Sequence, residues 1–284
     1  MKQIRSVGIV GAGTMGQGIA QVCASAGFSV LLFDIQPSLV ESAVTKISTS
    51  LQSLVEKNKI SSEDRSQTIA RISTVASLDA LQCDLIIEAA VENLSVKHKI
   101  FSQLEASVKD EAILTSNTSS IPITQIASVL KATHRFAGLH FFNPAPVMKL
   151  VEIVKGAQTS EETVEVLKTF CHAIQKQLVI AYDSPGFIVN RVARHFYVES
   201  LKLMEENVAS VPTIDALLRT SGFKMGPFEL MDLIGVDVNF AVTSSMYNSF
   251  HQDPKFRPSR IQQQKVDAGH HGRKTGKGFY DYSK

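Results

Sequence analysis

The chain has 284 residues, of which 44% are hydrophobic and 20% charged, and its formal net charge is +2. This composition is typical of a globular protein, and the length fits two domains of roughly 100–200 residues. The balanced charge argues against nucleic acid as a partner. No apolar stretch reaches the ~18 residues of a membrane span. Three scattered cysteines favour a reducing compartment, so we expect a cytoplasmic protein with no secretory or transit segment.

Strand-like and helical segments alternate through the first two-thirds of the chain. Strands are predicted at residues 4–10, 29–33, 85–88, 112–116, 137–141, 150–154 and 177–180. Apolar residues spaced three and four apart predict helices between most of these strands, for example at 19–26 and 164–174. The alternation predicts an α/β fold of the Rossmann type, with a doubly wound and mostly parallel sheet.

The connection after the second predicted strand is too long for one crossover helix. We expect a helical insert at about residues 38–72, made of two long amphipathic helices that are separated near Asn58 and Lys59. From about residue 183 onward, helical patterns at 187–207, 213–221 and 228–250 follow one another with no clear strand. The sequence therefore predicts a first domain over residues 1–183 and an all-helical C-terminal domain over 184–284. The apolar content of the second domain also suggests subunit contacts.

A glycine-rich loop joins the first predicted strand to the first predicted helix. Its residues are Gly11, Ala12, Gly13, Thr14, Met15 and Gly16. Between a strand and a helix, this spacing indicates a site where a dinucleotide pyrophosphate lies at the helix N-terminus; elsewhere the same glycines would be an ordinary turn. Asp34 ends the second strand, where a carboxylate accepts ribose hydroxyls and repels a 2′-phosphate. The pattern therefore predicts NAD rather than NADP.

One apolar strand contains a histidine, His140, which by itself is more typical of a core residue than of a catalytic one. Glu152 lies twelve residues later in a second apolar strand, after a turn-like Asn-Pro-Ala-Pro segment at 143–146. Strands joined in this way can bring the two side chains together. An imidazole held by a carboxylate is suited to remove a hydroxyl proton while a hydride leaves the same carbon. The pair is therefore a candidate acid/base couple.

Polar residues follow the predicted strand 112–116, in the segment Ser-Asn-Thr-Ser-Ser at 116–120. Ligands bind at the carboxyl edge of open α/β sheets, although such residues also serve as ordinary turn and cap residues. Glu92 and Lys97 equally fit a solvated helix face. His270 and His271 lack a third ligand at a suitable spacing, so no metal site is predicted.

Several motifs together resemble the 3-hydroxyacyl-CoA dehydrogenase family, in its short, monofunctional form. They are the glycine-rich loop, SNTSS, HFFNPAPVMKLVE, DSPGFIVNR, MGPFEL and the terminal GRKTGKGFYDY. The resemblance covers essentially the whole chain, and the run around His140 is its most specific motif.

The resemblance implies the NAD-dependent oxidation of a short L-3-hydroxyacyl-CoA to the 3-oxoacyl-CoA, and the reverse reaction. The implied catalytic residues are His140 as base or acid, Glu152 as its partner, and Ser119 and Asn190 around the reacting oxygen. The implied NAD contacts, besides the glycine-rich loop, are Asp34, Glu92, Lys97, Asn117, Ser119, Asn143 and Lys274. The implied coenzyme A contacts are Ser50, Lys57 and Ser119. A homodimer through the C-terminal helical domain is also implied.

Two other functions stay open at this point. One is an NAD-dependent dehydrogenase of a free hydroxy acid or sugar acid, similar to the lambda-crystallin-like proteins; Ser50 and Lys57 in the helical insert argue against it. The other is a non-catalytic NAD-binding module. The joint presence of His140, Glu152, Ser119 and Asn190 argues against that alternative.

Overall fold

The computed structural model describes residues 3–283, so residues 1, 2 and 284 of the two predicted domains lie outside it. The chain forms two compact units, of which the first ends at Ser184 and the second begins at Pro185. Within the described part of the chain, no helix is both long and apolar enough to cross a membrane.

The first unit is built on an eight-stranded sheet. Its strands are β1 (Ser6–Val10), β2 (Ser29–Phe33), β3 (Ile72–Thr74), β4 (Leu85–Glu88), β5 (Ile113–Ser116), β6 (Phe136–Phe141), β7 (Leu150–Lys155) and β8 (Gln177–Tyr182). Their order across the sheet is β3-β2-β1-β4-β5-β6-β7-β8. All neighbours are parallel except β6 and β7, which are antiparallel. The first six strands have the Rossmann order, which confirms the predicted fold class.

Within residues 3–184, six α-helices accompany this sheet. They are α1 (Thr14–Ser25), α2 (Pro37–Glu56), α3 (Ser62–Ala70), α4 (Leu94–Ser107), α5 (Ile123–Ala127) and α6 (Glu161–Ala173). Helices α2 and α3 form the predicted insert, although α3 is short. Helix α2 buries Val40, Ala43, Ile47 and Leu51, whose spacing of three and four places them on one face against the core. The three-residue strand β3, which follows α3, was not predicted.

The second unit is helical in its regular structure. Its helices are α7 (Val189–Glu205), α8 (Val211–Thr220), α9 (Pro227–Ile234), α10 (Val236–Ser249) and α11 (Arg260–Asp267). The helical segment predicted at 228–250 is divided at Gly235, whose φ of 107° no helix accommodates. Helix α11 was not predicted. A cluster that includes Tyr197, Leu201 and Phe228 forms the core of this unit.

Candidate active site

The glycine-rich loop leaves β1 at the carboxyl edge of the sheet and enters α1. A Cβ atom on Gly16 would lie 1.7 Å from the carbonyl oxygen of Gly11, so a side chain here would break the packing of helix against loop. Gly13 is the N-cap of α1, and Thr14, Met15, Gly16 and Gln17 form an uncharged first turn. The first N–H groups of a helix have no partner within it, and the helix dipole attracts negative charge there. This end of α1 therefore suits a pyrophosphate.

Asp34 follows β2 and lies beside this loop. Its Oδ2 atom accepts a hydrogen bond of 2.7 Å from the backbone N–H of Ala12, and its Oδ1 atom accepts one of 2.9 Å from that of Gln36. Each carboxylate oxygen has a second lone-pair position, so the anchored carboxylate can also accept ribose hydroxyls. Residues 35–38 include no Arg or Lys that would bind a 2′-phosphate. The loop and Asp34 therefore fit NAD.

His140 and Glu152 face each other across the antiparallel pair β6 and β7, in direct register. The imidazole Nδ1 lies 2.7 Å from the Glu152 Oε2 atom, and the two residues are 5% and 0% exposed. A deprotonated carboxylate at this position accepts the Nδ1 hydrogen, which assigns exchange with a substrate to the Nε2 atom. The predicted approach of the two side chains is therefore present in the structure.

Glu92 accepts several hydrogen bonds from the polar loop that follows β5. Its Oε1 atom accepts hydrogen bonds from the Thr118 hydroxyl at 2.6 Å, and from the Ser119 N–H, the Ser120 N–H and the Ser120 hydroxyl at 3.1 Å each. Burial by itself would raise the pKa of Glu92, but the Lys97 ammonium and these hydrogen bonds hold it below its usual value. Glu92 is therefore an anion that fixes the segment 118–120.

Lys97 lies in α4 and is 1% exposed, so the interpretation of this residue as part of a solvated helix face is wrong. Its ammonium lies 2.8 and 2.9 Å from the two carboxylate oxygens of Glu88 and 3.3 Å from the Glu92 Oε2 atom. Glu88, the last residue of β4, also accepts hydrogen bonds from the Ala90 N–H and the Ser116 hydroxyl. Sequence reasoning missed Glu88, although a charged residue at the end of an apolar strand was a usable signal.

Asn117 ties the polar loop to the strand of the histidine. Its Oδ1 atom accepts a hydrogen bond of 2.8 Å from the backbone N–H of Phe141, which is the residue after His140. Asn143 is exposed in the turn that follows β6. Lys176, which was not predicted, donates hydrogen bonds of 2.7 Å to the carbonyl oxygens of Ala145 and Met148 in that turn. Burial lowers the pKa of Lys176.

The remaining predicted residues belong to the helical insert and to the second unit. Ser50 and Lys57 are exposed, and because α2 ends at Glu56, Lys57 is its C-cap residue. Asn190 is the second residue of α7, in the second unit. Lys274 also belongs to the second unit, where its ammonium lies 2.7 Å from the Asp237 Oδ2 atom. Among residues 3–283, no group of three or more His, Cys, Asp or Glu side chains is arranged to hold a metal ion.

A Rossmann-order sheet with this loop, this acid and a buried His–Glu pair defines the class of NAD-dependent dehydrogenases. Comparison with known proteins identifies the family. Residues 6–184 match the 3-hydroxyacyl-CoA dehydrogenase NAD binding domain, and residues 186–282 match the C-terminal domain of the same family. The chain belongs to the 3-hydroxyacyl-CoA dehydrogenase family, which confirms the resemblance read from its motifs.

Three relatives illustrate the match. The chain is 49% identical to 3-hydroxyadipyl-CoA dehydrogenase of Escherichia coli, with 99% of this chain covered but 60% of that relative's length. It is 41% identical to 3-hydroxybutyryl-CoA dehydrogenase of Bradyrhizobium diazoefficiens, covering 98% of this chain and 96% of the relative. The crystal structure of (S)-3-hydroxybutyryl-CoA dehydrogenase from Ralstonia eutropha is similar with a TM-score of 0.95 and 43% identity, over 99% of this chain and 100% of that one.

Proposed function

We propose that the protein oxidises the 3-hydroxyl of a short L-3-hydroxyacyl-CoA with NAD⁺ to give the 3-oxoacyl-CoA and NADH, and that it catalyses the reverse reaction. The observation that carries this proposal is the buried His140–Glu152 pair on the adjacent strands β6 and β7. The turn between these strands packs against α1, since a Cβ atom on Gly18 would lie 3.2 Å from that of Ala145. Family membership supplies the acyl-CoA substrate class, since two of the relatives above are named for 3-hydroxybutyryl-CoA and one for 3-hydroxyadipyl-CoA.

The proton transfer falls to His140. In the oxidation direction, its Nε2 atom takes the proton of the substrate hydroxyl while the C3 hydrogen leaves as a hydride; bound NAD⁺ supplies the hydride acceptor. The Glu152 carboxylate holds the Nδ1 hydrogen, keeps the imidazole in the required tautomer and stabilises the imidazolium that forms. In the reduction direction, the same imidazolium returns its proton to the 3-oxo oxygen.

The other assignments rest on the family resemblance, and the contacts described above support them to different degrees. Ser119, whose backbone N–H donates to Glu92, would hydrogen-bond the substrate oxygen, and Asn190 would contact the reacting region. NAD contacts are proposed for the glycine-rich loop, Asp34, Glu92, Lys97, Asn117, Ser119, Asn143 and Lys274. Coenzyme A contacts are proposed for Ser50, Lys57 and Ser119, of which the first two are exposed on the helical insert.

We also propose a homodimer formed through the helical unit, and a location in the cytoplasm. Large apolar side chains exposed on this unit support the dimer; they include Val192, Leu217, Phe223, Leu233 and Val238. An exposed apolar surface of this kind is typical of protein–protein interfaces. Three buried cysteines without disulfides, Cys23, Cys83 and Cys171, fit a reducing compartment.

The substrate assignment is tested by following NADH consumption at 340 nm with acetoacetyl-CoA and with free acetoacetate. We expect turnover of the thioester and a far lower kcat/KM for the free acid, because the coenzyme A moiety contributes binding energy that positions C3. Equal kcat/KM for both compounds would contradict the thioester assignment and favour a dehydrogenase of free hydroxy acids. Longer 3-oxoacyl-CoA substrates and 3-oxoadipyl-CoA, in the same assay, separate a short-chain preference from a preference for a terminal carboxylate.

The cofactor assignment is tested with Asp34→Ala. Because the carboxylate repels a 2′-phosphate, the wild-type protein should prefer NADH over NADPH, and the variant should bind NADH more weakly and discriminate less. Asp79→Ala, which alters an exposed acid outside the loop, is the matched control. A wild-type preference for NADPH would contradict the assignment.

A further inference from the structure

Arg194 is a buried cation without an acidic partner. It lies in α7 and is 3% exposed. Among residues 3–283, no Asp or Glu forms an ion pair with its guanidinium. Burial lowers the pKa of Arg194 to about 10, and the neighbour that opposes this shift is the Tyr197 phenol rather than a carboxylate. A buried charge without a counter-ion is unfavourable, so this position favours the binding of an anionic group.

One edge of the Arg194 guanidinium makes no hydrogen bond. The Nη1 atom donates to the Asn239 carbonyl oxygen at 3.1 Å and to the Thr243 hydroxyl at 2.9 Å, and it lies 3.1 Å from the Asn239 Oδ1 atom. Within the described part of the chain, Nε and Nη2 have no hydrogen-bond partner. These two nitrogens form the edge of a guanidinium that binds a carboxylate through two parallel N–H···O bonds. The geometry therefore suits a carboxylate in particular.

The surrounding helices hold this guanidinium in place. The Thr243 hydroxyl also donates to the Asn239 carbonyl oxygen at 3.0 Å, and Gln262 of α11 donates from Nε2 to the Asn239 Oδ1 atom at 2.9 Å. The Tyr197 ring centroid lies 5.2 Å from the central carbon of the guanidinium. Buried polar atoms rarely lack a partner, yet Arg194 Nε and Gln262 Oε1 both do. The cluster is therefore ordered by α7, α10 and α11 but incomplete.

The position of Arg194 on α7 indicates which carboxylate it would meet. Asn190, which we assign to the reacting region, lies four residues earlier on the same helix. Residues spaced by four share a helix face and are about 6 Å apart along the axis. Three C–C bonds of about 1.5 Å each separate C3 of a six-carbon acyl chain from its terminal carbon. Such a chain, with its C3 oxygen at Asn190, has the length to bring a terminal carboxylate to the long Arg194 side chain.

We propose that Arg194 is a specificity-determining residue that binds a terminal carboxylate of the acyl chain, so that the preferred substrates are 3-hydroxyacyl-CoA thioesters of dicarboxylic acids, with six carbons as the best length. The inference rests on the proposed function, in which Asn190 contacts the reacting region. The Nε and Nη2 hydrogens form two charge-assisted hydrogen bonds with the carboxylate, which serves as the missing counter-ion. A chain of equal length that ends in a methyl group leaves these donors unpaired.

The test compares kcat/KM for the reduction of 3-oxoadipyl-CoA and 3-oxohexanoyl-CoA by NADH, two six-carbon substrates that differ only in the terminal carboxylate or methyl group. The wild type should prefer 3-oxoadipyl-CoA about 10- to 100-fold, the effect of hydrogen bonds to a charged group. Arg194→Met should remove most of this preference by lowering kcat/KM for 3-oxoadipyl-CoA alone. Arg194→Lys keeps the charge but not the paired donors, so its preference should be intermediate. Arg260→Met, which replaces an exposed arginine of α11, is the matched control.

Thr243→Val provides a test that leaves the charge in place. It removes one acceptor of the Arg194 Nη1 atom from a side chain of equal shape, so the variant should fold. The guanidinium is then held less firmly, and we expect the preference for 3-oxoadipyl-CoA to fall about 2- to 10-fold, the equivalent of one hydrogen bond. An unchanged preference would overturn the proposal, even if Arg194→Met failed to fold.

The outcomes separate this inference from the proposed function. A wild-type protein that turns over neither acetoacetyl-CoA nor the two six-carbon thioesters refutes the function itself. With an active wild type, equal kcat/KM for 3-oxoadipyl-CoA and 3-oxohexanoyl-CoA refutes only the role of Arg194. That role is also refuted if Arg194→Met lowers kcat/KM for both substrates by the same factor, since Arg194 would then serve only the packing of the helices. A wild-type preference that is lost in Arg194→Met and reduced in Thr243→Val supports it.

Discussion

Two buried carboxylates at the carboxyl edge of the sheet each hold a basic side chain, with opposite consequences. Glu152 lies 2.7 Å from the His140 imidazole, and Glu88 lies 2.8 Å from the Lys97 ammonium; both carboxylates are 0% exposed. An imidazole gains and loses a proton near neutral pH, whereas an ammonium in an ion pair keeps its charge. The comparison teaches that similar geometry suits proton transfer, as we propose for His140 and Glu152, and also a structural ion pair, as in Glu88 and Lys97.

The largest expected effect comes from removing the exchangeable proton. His140→Gln should lower kcat for acetoacetyl-CoA reduction by about 10²–10⁴, the usual contribution of a general acid or base. NADH binding should stay close to that of the wild type, because the glycine-rich loop is untouched. His172→Gln, an exposed histidine on α6, is the control and should keep full activity. If His140→Gln were fully active, the base assignment would be wrong.

The largest loss of stability should come from the other pair, Glu88 and Lys97. Lys97→Met leaves Glu88 buried without its cation, which should lower the free energy of unfolding by about 3–5 kcal/mol. In the double variant with Glu88→Gln, much of this loss should be restored. Urea denaturation at pH 7 measures both, with Lys99→Met as a control expected within about 0.5 kcal/mol of the wild type. A Lys97→Met protein as stable as the wild type would show that the pair is not a structural element.

A third carboxylate, Asp84, precedes β4 at the amino ends of the parallel strands, and we expect a smaller effect on stability from its removal. Burial alone would raise its pKa, but hydrogen bonds from the Arg5 and Ser6 backbone and from the Ser6 hydroxyl lower it to about 2. Because the folded-state pKa is depressed, its stabilisation is complete above its ordinary value of 3.8 and disappears as the pH falls through about 2.

Asp84→Asn should therefore cost about 1 kcal/mol or less at pH 7, since Asp84 is partly exposed and screened. The difference from the wild type should vanish near pH 2. Urea denaturation of both proteins across this pH range measures it, and a constant difference at every pH would contradict the assignment.

The parts of the fold that follow a strong local pattern were predictable. The buried strands β1, β2, β4 and β6 are nearly continuous apolar runs, and their Gly, Asp and polar ends mark the edge where the site forms. Strand β3 was missed because it has three residues, all partly or fully exposed, and it forms by pairing with β2. This pairing depends on tertiary contacts, which the local sequence pattern does not reveal.

The approach of His140 to Glu152 was predictable because the two residues lie on neighbouring strands that are joined by a short turn. The ion pair of Lys97 and Glu88 was not predictable, since its members come from α4 and β4 and Glu88 accepts hydrogen bonds from Ala90 and from Ser116 in β5. In the sequence, Lys97 cannot be distinguished from a lysine on an exposed helix surface. Its burial and its approach to the Glu92 carboxylate are visible only in the structure.

The measurement that tests the contrast between the two pairs most directly is kcat for acetoacetyl-CoA reduction, compared with the free energy of unfolding, in wild type, Glu152→Gln and Lys97→Met. Glu152→Gln keeps an acceptor for the Nδ1 hydrogen of His140 but removes the charge that stabilises the imidazolium, so it should lower kcat by about 10². Because a neutral amide replaces the carboxylate, Glu152→Gln should lower the free energy of unfolding less than Lys97→Met, which leaves Glu88 buried without a cation. Losses of kcat and of stability in the same ratio in both variants would contradict the division between proton transfer and a structural ion pair.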